Sequence, residues 1–274
     1  MPELPEVETI VVDLRPVLVG RRIVACDLRF PAVVRYPEPQ LFVAGVRDRT
    51  IQDVSRRGKY ILAALDSHDL LVVHLGMTGQ LLHAHSETPV LTHTHAIFHL
   101  DDGLQLRYRD IRRFGRLLLG TEAELRGGRQ LPKLGPEPLE PDFLPQDLYS
   151  RLRGRRAPLK ALLLDQGFIA GVGNIYADES LFRARLRPDR PGTDVGPRAA
   201  RRLHASLRES LLAGIANRGS SIDDYVDANG EQGRQQEELM VYGHAGEPCP
   251  NCGRPLRQMR LAGRTTVFCA RCQH

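Results

Sequence analysis

The chain has 274 residues, 42% of them hydrophobic, enough to bury the core of one large or two ordinary domains. It carries 38 Lys+Arg against 33 Asp+Glu, and the excess is uneven: 20 against 13 in residues 151–274 (+7), 18 against 20 in residues 1–150 (−2). No apolar run could span a bilayer and acids stand where a signal peptide would be basic, so a soluble intracellular chain is expected; the basic half points to a polyanionic partner, or to no more than a solvated basic face.

Pro2–Gly20 has helical spacing at Val7, Ile10, Val11 and Leu14. Once Met1 is removed, Pro2 presents a secondary amine with Glu3 and Glu6 beside it. An α-amino group titrates near about 8, so roughly a tenth is neutral and nucleophilic at pH 7. Its attack on a carbonyl-like carbon gives an iminium ion, and an adjacent carboxylic acid can donate and recover protons. The same residues also read as a plain helix start, with Pro5 in the first turn and acids favoured by the macrodipole.

Residues 22–116 read as strands, including Lys59–Leu65, Leu70–Leu75 and Ala96–Leu100, with Asp102-Gly103 turning into Leu104–Tyr108. Cys26 lies in an apolar stretch and reads as a buried strand residue. The expectation is a mostly antiparallel sandwich over residues 1–130. Residues 131–141 hold four prolines and read as a stiff linker. Helical patterns follow at 145–154, 158–167, 174–184 and 197–216. In 159–174 an apolar helix ends near Asp165-Gln166-Gly167, a short turn holds Gly171 and Gly173, and Asn174 is placed to cap the next helix. Backbone N–H groups there could hold an anion, although a plain helical packing unit explains the pattern equally. Residues 217–237 are polar and Gly-rich and read as a mobile loop within a helical domain at 142–240.

The last segment, 241–274, contains Cys249-Pro-Asn-Cys252 and, 16 residues on, Cys269-Ala-Arg-Cys272. That spacing is a zinc ribbon: four thiolates closing a tetrahedral structural site. Its five arginines and absence of acids from residue 249 onward leave it basic even when loaded, and Gly263-Arg264 in a hairpin turn could push a guanidinium toward phosphates.

Taken together, PELPEVE at 2–8, GKY at 58–60, HLGMTG at 74–79, RRFG at 112–115, LGPEPL at 134–139, GVGNIYADE at 171–179, GSSI at 219–222, VYG at 241–243 and GRTT at 263–266 resemble the formamidopyrimidine-DNA glycosylase family, over essentially the whole chain. The resemblance implies an α+β multidomain fold: an N-terminal β-sandwich flanked by helices, then a helix–two-turn–helix domain with a β-hairpin zinc ribbon, and DNA in the cleft between them. It implies a base-excision enzyme that flips an oxidised purine from the duplex. Pro2 would attack C1′, with Glu3 as proton shuttle, Glu6 ordering the terminus, and β,δ-elimination cutting the strand at the resulting or a pre-existing abasic site. Lys59 would support the chemistry electrostatically, and Arg264 and Asn174 would bind the flanking phosphates with His74, Tyr242 and Lys160 as further DNA contacts. Met77, Arg112 and Phe114 would fill the vacated space; Met77 and Phe114 as core residues, and His74 as a satisfied strand histidine, are the plain alternatives. Ser220, Ser221 and Tyr225 would belong to the loop that reads the base.

The resemblance further implies one structural Zn²⁺ and no other cofactor, double-stranded DNA as partner, a monomer, and a bacterial cytoplasmic, nucleoid-associated location. Ile111, Asp223, Asp224 and Gln235 depart from the family pattern, which bears on base preference. An endonuclease VIII-like enzyme for oxidised pyrimidines would lack the RRFG wedge, and a non-enzymatic zinc-ribbon DNA-binding protein would have no use for Pro2 and Glu3.

Overall fold

In a computed structural model that describes every residue except Arg129 and Asp223, the chain divides into two compact units. The first is Met1–Lys133 with Asn217–Gln236; the second is Leu134–Ala216 with Glu237–His274. The 217–236 segment, expected within the helical domain, therefore belongs with the N-terminal unit. The departure at Asp223 lies outside the described residues.

The first unit opens with α1 (Leu4–Leu18), whose buried positions Leu4, Val7, Ile10, Val11, Leu14 and Leu18 follow the helical period. Then come β1 (Arg22–Leu28), β2 (Val34–Tyr36), α2 (Pro39–Val46), β3 (Arg49–Arg57), β4 (Tyr60–Leu65), β5 (Leu70–His74), β6 (Gly79–His85), β7 (Thr94–Leu100), β8 (Leu104–Asp110), β9 (Arg116–Gly120) and α3 (Glu122–Gly127). The helix α2 falls in a stretch read as strand. Pro39 starts it, and Phe42 and Val46, one helical turn apart, are its buried face.

The sheet order is β2-β9-β5-β4-β3-β1-β7-β8-β6. All neighbours are antiparallel except β2 and β9. Strands β1 and β3 are joined only through Arg22↔Thr50 and Ile23↔Arg49, so the sheet has two halves linked at a narrow seam. Apolar residues of both halves, among them Ile61, Val73 and Leu117 from one and Phe98, Leu106 and Tyr108 from the other, share one core with α1. That is the expected sandwich, built by bending one sheet.

The second unit contains α4 (Pro145–Leu152), α5 (Leu159–Leu164), α6 (Asn174–Arg183), α7 (Pro197–Ala216), β10 (Arg257–Leu261) and β11 (Arg264–Phe268). Helix α5 stops short of the expected Gly167 because side chains close the turns that follow. Asp165 Oδ1 accepts the Gly167 N–H (2.8 Å), Gln166 Oε1 accepts that of Gly171 (2.9 Å), and Gln166 Nε2 donates to Val172 O (2.8 Å). The proline-rich segment is not a free spacer: Gly135 N–H donates to Gln166 O (2.8 Å) and Pro136 O accepts from Ala170 (3.0 Å). In the ribbon, Val241, Leu256 and Val267 pack with Phe182 of α6 around Cys249 and Cys269. No helix among the described residues is long and apolar enough to cross a membrane.

Candidate active site and nucleic-acid interface

With Met1 in place, Pro2 nitrogen is an amide and the residue is buried at the head of α1. Glu3 and Glu6 are each only 2% exposed. Glu6 Oε2 accepts the Glu3 N–H (2.8 Å) and Glu6 Oε1 accepts the Ser220 N–H (2.9 Å). One carboxylate thus ties the helix start to the 217–236 segment. Buried Tyr225 lies over the same turn, donating to Arg218 O (3.1 Å), and accepts Ser221 Oγ on its own carbonyl (2.9 Å). Burial, with the Glu6 carboxylate nearby, holds the Tyr225 phenol far above its ordinary range, so it serves as a hydrogen-bond donor. Further bonds run from Gln80 to Asp224 O (2.6 Å) and from the His83 N–H to Ala228 O (2.9 Å), so the segment is well anchored. Ser221 N–H donates to Gln236 Oε1, and Asn217 Nδ2 to Gln235 Oε1, both 2.9 Å; that fixes Gln235 in a structural contact.

Lys59 is not on a strand. With Gly58 it forms the two-residue turn joining β3 to β4, Gly58 taking φ +57° as the first position of a type II′ hairpin requires. His74, ending β5, stands opposite Tyr60 with ring centroids 4.7 Å apart. Burial lowers its pKa to about 4, helped by the charges of Arg116 and Lys59, and its Nδ1 accepts the Gly76 N–H (3.2 Å). The imidazole is therefore neutral.

Met77, Arg112 and Phe114 sit on two loops fastened together. Phe114 is 55% exposed and Arg112 is exposed with its guanidinium 4.8 Å over the Phe114 ring, which excludes a core role for Phe114. Met77 is half-buried. The fastening is Asp110, fully buried, a residue no motif reading picks out. Its carboxylate accepts Thr78 Oγ1 (2.6 Å), Arg112 N–H (3.2 Å), Gly115 N–H (2.8 Å) and Tyr108 OH (3.3 Å). A Cβ on Gly115 would stand 1.8 Å from the Tyr108 oxygen, so only glycine lets the loops approach.

In the second unit Asn174 is the first residue of α6 and not its cap; Gly173 occupies that place. Asn174 Nδ2 donates to Thr265 O (3.2 Å), beside exposed Arg264. Arg264 begins the return strand of the ribbon hairpin, whose turn is Ala262-Gly263, both left-handed. Asn174, Tyr242 and Thr265 line a cleft of about 170 Å³. Two buried acids in GVGNIYADE hold these parts. Glu179 accepts the N–H groups of Met240 (3.0 Å), Val241 (2.9 Å) and Tyr242 (3.0 Å), and Asp178 accepts that of Val267 (3.2 Å).

Lys160 corrects the expectation of a DNA contact. It is fully buried, bonding Asp178 Oδ1 (2.5 Å) and Asn174 O (3.0 Å), so its charge is spent inside the protein and it positions Asn174 from behind. Burial pushes the Asp178 carboxyl up, to about 6, against the pull of the Lys160 ammonium.

The ligand atoms of Cys249, Cys252, Cys269 and Cys272 lie within 4.8 Å of one another, with Cys249–Cys272 at 3.9 Å and Cys252–Cys269 at 3.5 Å. A tetrahedron with Zn–S bonds of about 2.3 Å has edges of about 3.8 Å, so the four sulfurs fit zinc. Burial opposes ionisation of Cys269, yet the Cys272 and Arg271 N–H groups and neighbouring thiols bring it down to about 7.

Profile comparison matches residues 1–117 to the formamidopyrimidine-DNA glycosylase N-terminal domain, 134–226 to the H2TH domain of the same enzymes, and 246–274 to the zinc finger found in FPG and IleRS. The chain is 45% identical over 274 residues to the formamidopyrimidine-DNA glycosylase of Desulforamulus reducens, covering 100% of this chain and 99% of that one. It is 49% identical over 260 residues to that of Moorella thermoacetica, covering 95% of each. Among solved structures, the MutM (FPG) protein from Thermus thermophilus superposes with TM-score 0.89 at 43% identity, over 99% of this chain and 98% of that one. A Lactococcus lactis FPG mutant in complex with a Fapy-dG containing DNA gives 0.92 at 35% identity, over 99% of both chains. With its N-terminal acids, paired loops around Asp110 and four-cysteine ribbon in place, the chain belongs to the formamidopyrimidine-DNA glycosylases, DNA glycosylases of base excision repair.

Proposed function

We propose that this chain removes oxidised purines, 8-oxoguanine and formamidopyrimidines, from duplex DNA and then cleaves the abasic site through a Schiff base on Pro2. The observation that carries the reading is the junction at Glu6, whose carboxylate touches both the Glu3 N–H and the Ser220 N–H. It joins the amine-bearing terminus to the segment that would read the base. Solved relatives complexed with Fapy-dG DNA and with DNA containing an abasic site support the formamidopyrimidine and abasic-site substrates.

Removal of Met1 frees the Pro2 nitrogen. It attacks C1′ of the flipped nucleotide; the glycosidic electron pair leaves with the base, which takes a proton, and the ring-opened sugar becomes an iminium of Pro2. Loss of a C2′ proton expels the 3′-phosphate, and a second elimination expels the 5′-phosphate. Glu3 moves the protons. Lys59 stabilises developing charge near the reacting sugar. His74, Asn174, Tyr242 and Arg264 hold phosphates, Arg264 as a cation and His74 as a neutral donor. Met77, Arg112 and Phe114 occupy the space the base leaves, and the exposure of Arg112 and Phe114 suits that task. Ser220 and Ser221 belong to the segment that reads the base, their own N–H groups being held by Glu6 and Gln236. A single structural zinc holds the ribbon and takes no part in the chemistry, because four protein ligands leave it no open position.

The test is borohydride trapping of Met1-processed protein on a duplex with 8-oxoguanine opposite cytosine. The expected product is a covalent adduct whose sugar remnant maps to Pro2, absent from a chain carrying an extra N-terminal residue. An adduct on Lys59, or undiminished trapping by a blocked terminus, would refute the assignment of the nucleophile.

A further inference from the structure

Arg218 immediately precedes the GSSI motif and carries no expectation from it. Its backbone is left-handed at φ +60°, and Gly219 after it is left-handed at φ +82°. A non-glycine residue adopts this conformation only when something holds it there. The two residues fold the chain down onto α1, so closely that a Cβ on Gly219 would stand 2.9 Å from Glu6 Cγ.

The side chain shows what holds it. Arg218 Nη2 donates to the Asp13 carboxylate (2.6 Å), and the same guanidinium bonds Asp227 through Nη2 and through Nε (3.2 Å). Asp227 is 2% exposed in its side chain and Asp13 11%, so two buried carboxylates hold a guanidinium whose own side chain is 44% exposed. The second Asp227 oxygen accepts the N–H groups of Asn229 and Glu231, both at 2.9 Å. The Arg218–Asp227 bond therefore spans the neck of the segment.

Asp13 lies seven residues after Glu6 on α1, two turns along the same face. Glu6 grips Ser220 and Asp13 grips Arg218. The helix that presents Pro2 and Glu3 is thus fastened at two points to the segment proposed to read the base.

We propose that Arg218 is a positioning residue that, through Asp13 and Asp227, locks the base-reading segment to the nucleophile-bearing helix, so that excision of an oxidised base depends on it while cleavage of a site already lacking its base does not. The inference rests on the function proposed above. An intact lesion must have its base held and its C1′ at Pro2 in one geometry; an abasic sugar needs only the second condition.

The experiment compares two duplex substrates under single-turnover conditions, one with 8-oxoguanine opposite cytosine and one with a preformed abasic site. Arg218→Asn keeps a residue that tolerates the left-handed backbone but cannot reach Asp13. Its excision rate should fall about tenfold, the scale of a hydrogen bond to a charged group, with abasic cleavage changed less than about twofold. Asp13→Asn, which leaves Asp227 in place, should shift the same ratio in the same direction by a smaller factor. Equal losses on both substrates, or unchanged excision in both variants, would overturn the lock. If the unsubstituted protein cleaves neither substrate, the proposed function falls, and the lock with it.

Discussion

His74 is a histidine whose surroundings forbid it a charge. Burial removes water from its ring, and Arg116 and Lys59 add positive potential, which together bring it to about 4. The folded value lies below the ordinary 6.5, so the unfolded chain takes up the proton first. Stability from this group is complete above about 6.5 and is lost as pH falls toward about 4. Two results should follow. Urea midpoints of the unsubstituted protein should drop between pH 6.5 and 5 by more than those of His74→Gln, which has no such proton. If His74 meets a phosphate, it does so uncharged, so the two proteins should show the same change in salt slope between pH 6 and 8. A cationic contact would instead steepen the unsubstituted protein's slope at pH 6 by about 0.9. Residue type and spacing were enough to single out Pro2, Glu3 and the cysteines as candidates, whereas His74 and Lys160 entered only through the family resemblance. The resemblance misled at Lys160, since nothing local in Pro158-Leu159-Lys160 announces that Asp178, eighteen residues on, will bury that ammonium.

At the scale of elements, the working loops owe their shape to acids behind them. Asp110 ends β8 and collects donors from β8 itself, the HLGMTG loop and the RRFG loop. Both of its oxygens are committed, and all its partners are donors. Asp110→Asn would turn an NH2 group toward two of those donors, leaving buried hydrogens face to face at about 1–3 kcal/mol for each unsatisfied group. The expected result is a fall in thermal midpoint together with impaired base extrusion, read with 2-aminopurine beside the lesion, because Met77 and Arg112 would lose their common anchor. A destabilised variant that still extrudes the base normally would show that the loops hold their shape without it. Glu179 does the equivalent task in the second unit, gathering the N–H groups of Met240, Val241 and Tyr242. Sequence pattern marked the strands and helices because periodicity is local. It missed α2, whose eight residues offer only two buried apolar positions on one face, and it set α5 too long because Asp165 and Gln166 end the helix with side-chain bonds that no periodicity reports. The anchoring roles of Asp110 and Glu179 were not legible, since the Thr78 bond that ties one loop to the other spans 32 residues and the Glu179 bonds span 61 to 63.

Across the whole molecule, the two units differ in what stabilises them. The first has a broad apolar core drawn from α1, α2 and both halves of the sheet. The ribbon in the second has a cluster of six buried residues, two of them metal-site cysteines, and a two-stranded hairpin, which alone is marginal in water. Its missing folding energy must come from zinc, because four thiolates held within 4.8 Å repel one another once ionised. Chelation, or Cys249→Ser, should therefore act selectively. The ribbon should unfold, exposing Phe182 and freeing the hairpin that carries Arg264 and Thr265, and duplex affinity at physiological salt should vanish with it. The sandwich should persist, so its far-UV signal and its urea transition should change little. Metal release followed with a chromogenic chelator, and binding followed by fluorescence anisotropy, give the two readouts on one sample. Loss of metal with affinity retained would mean that the hairpin keeps its shape on the apolar contacts around Phe182 alone, and that zinc is dispensable to the fold.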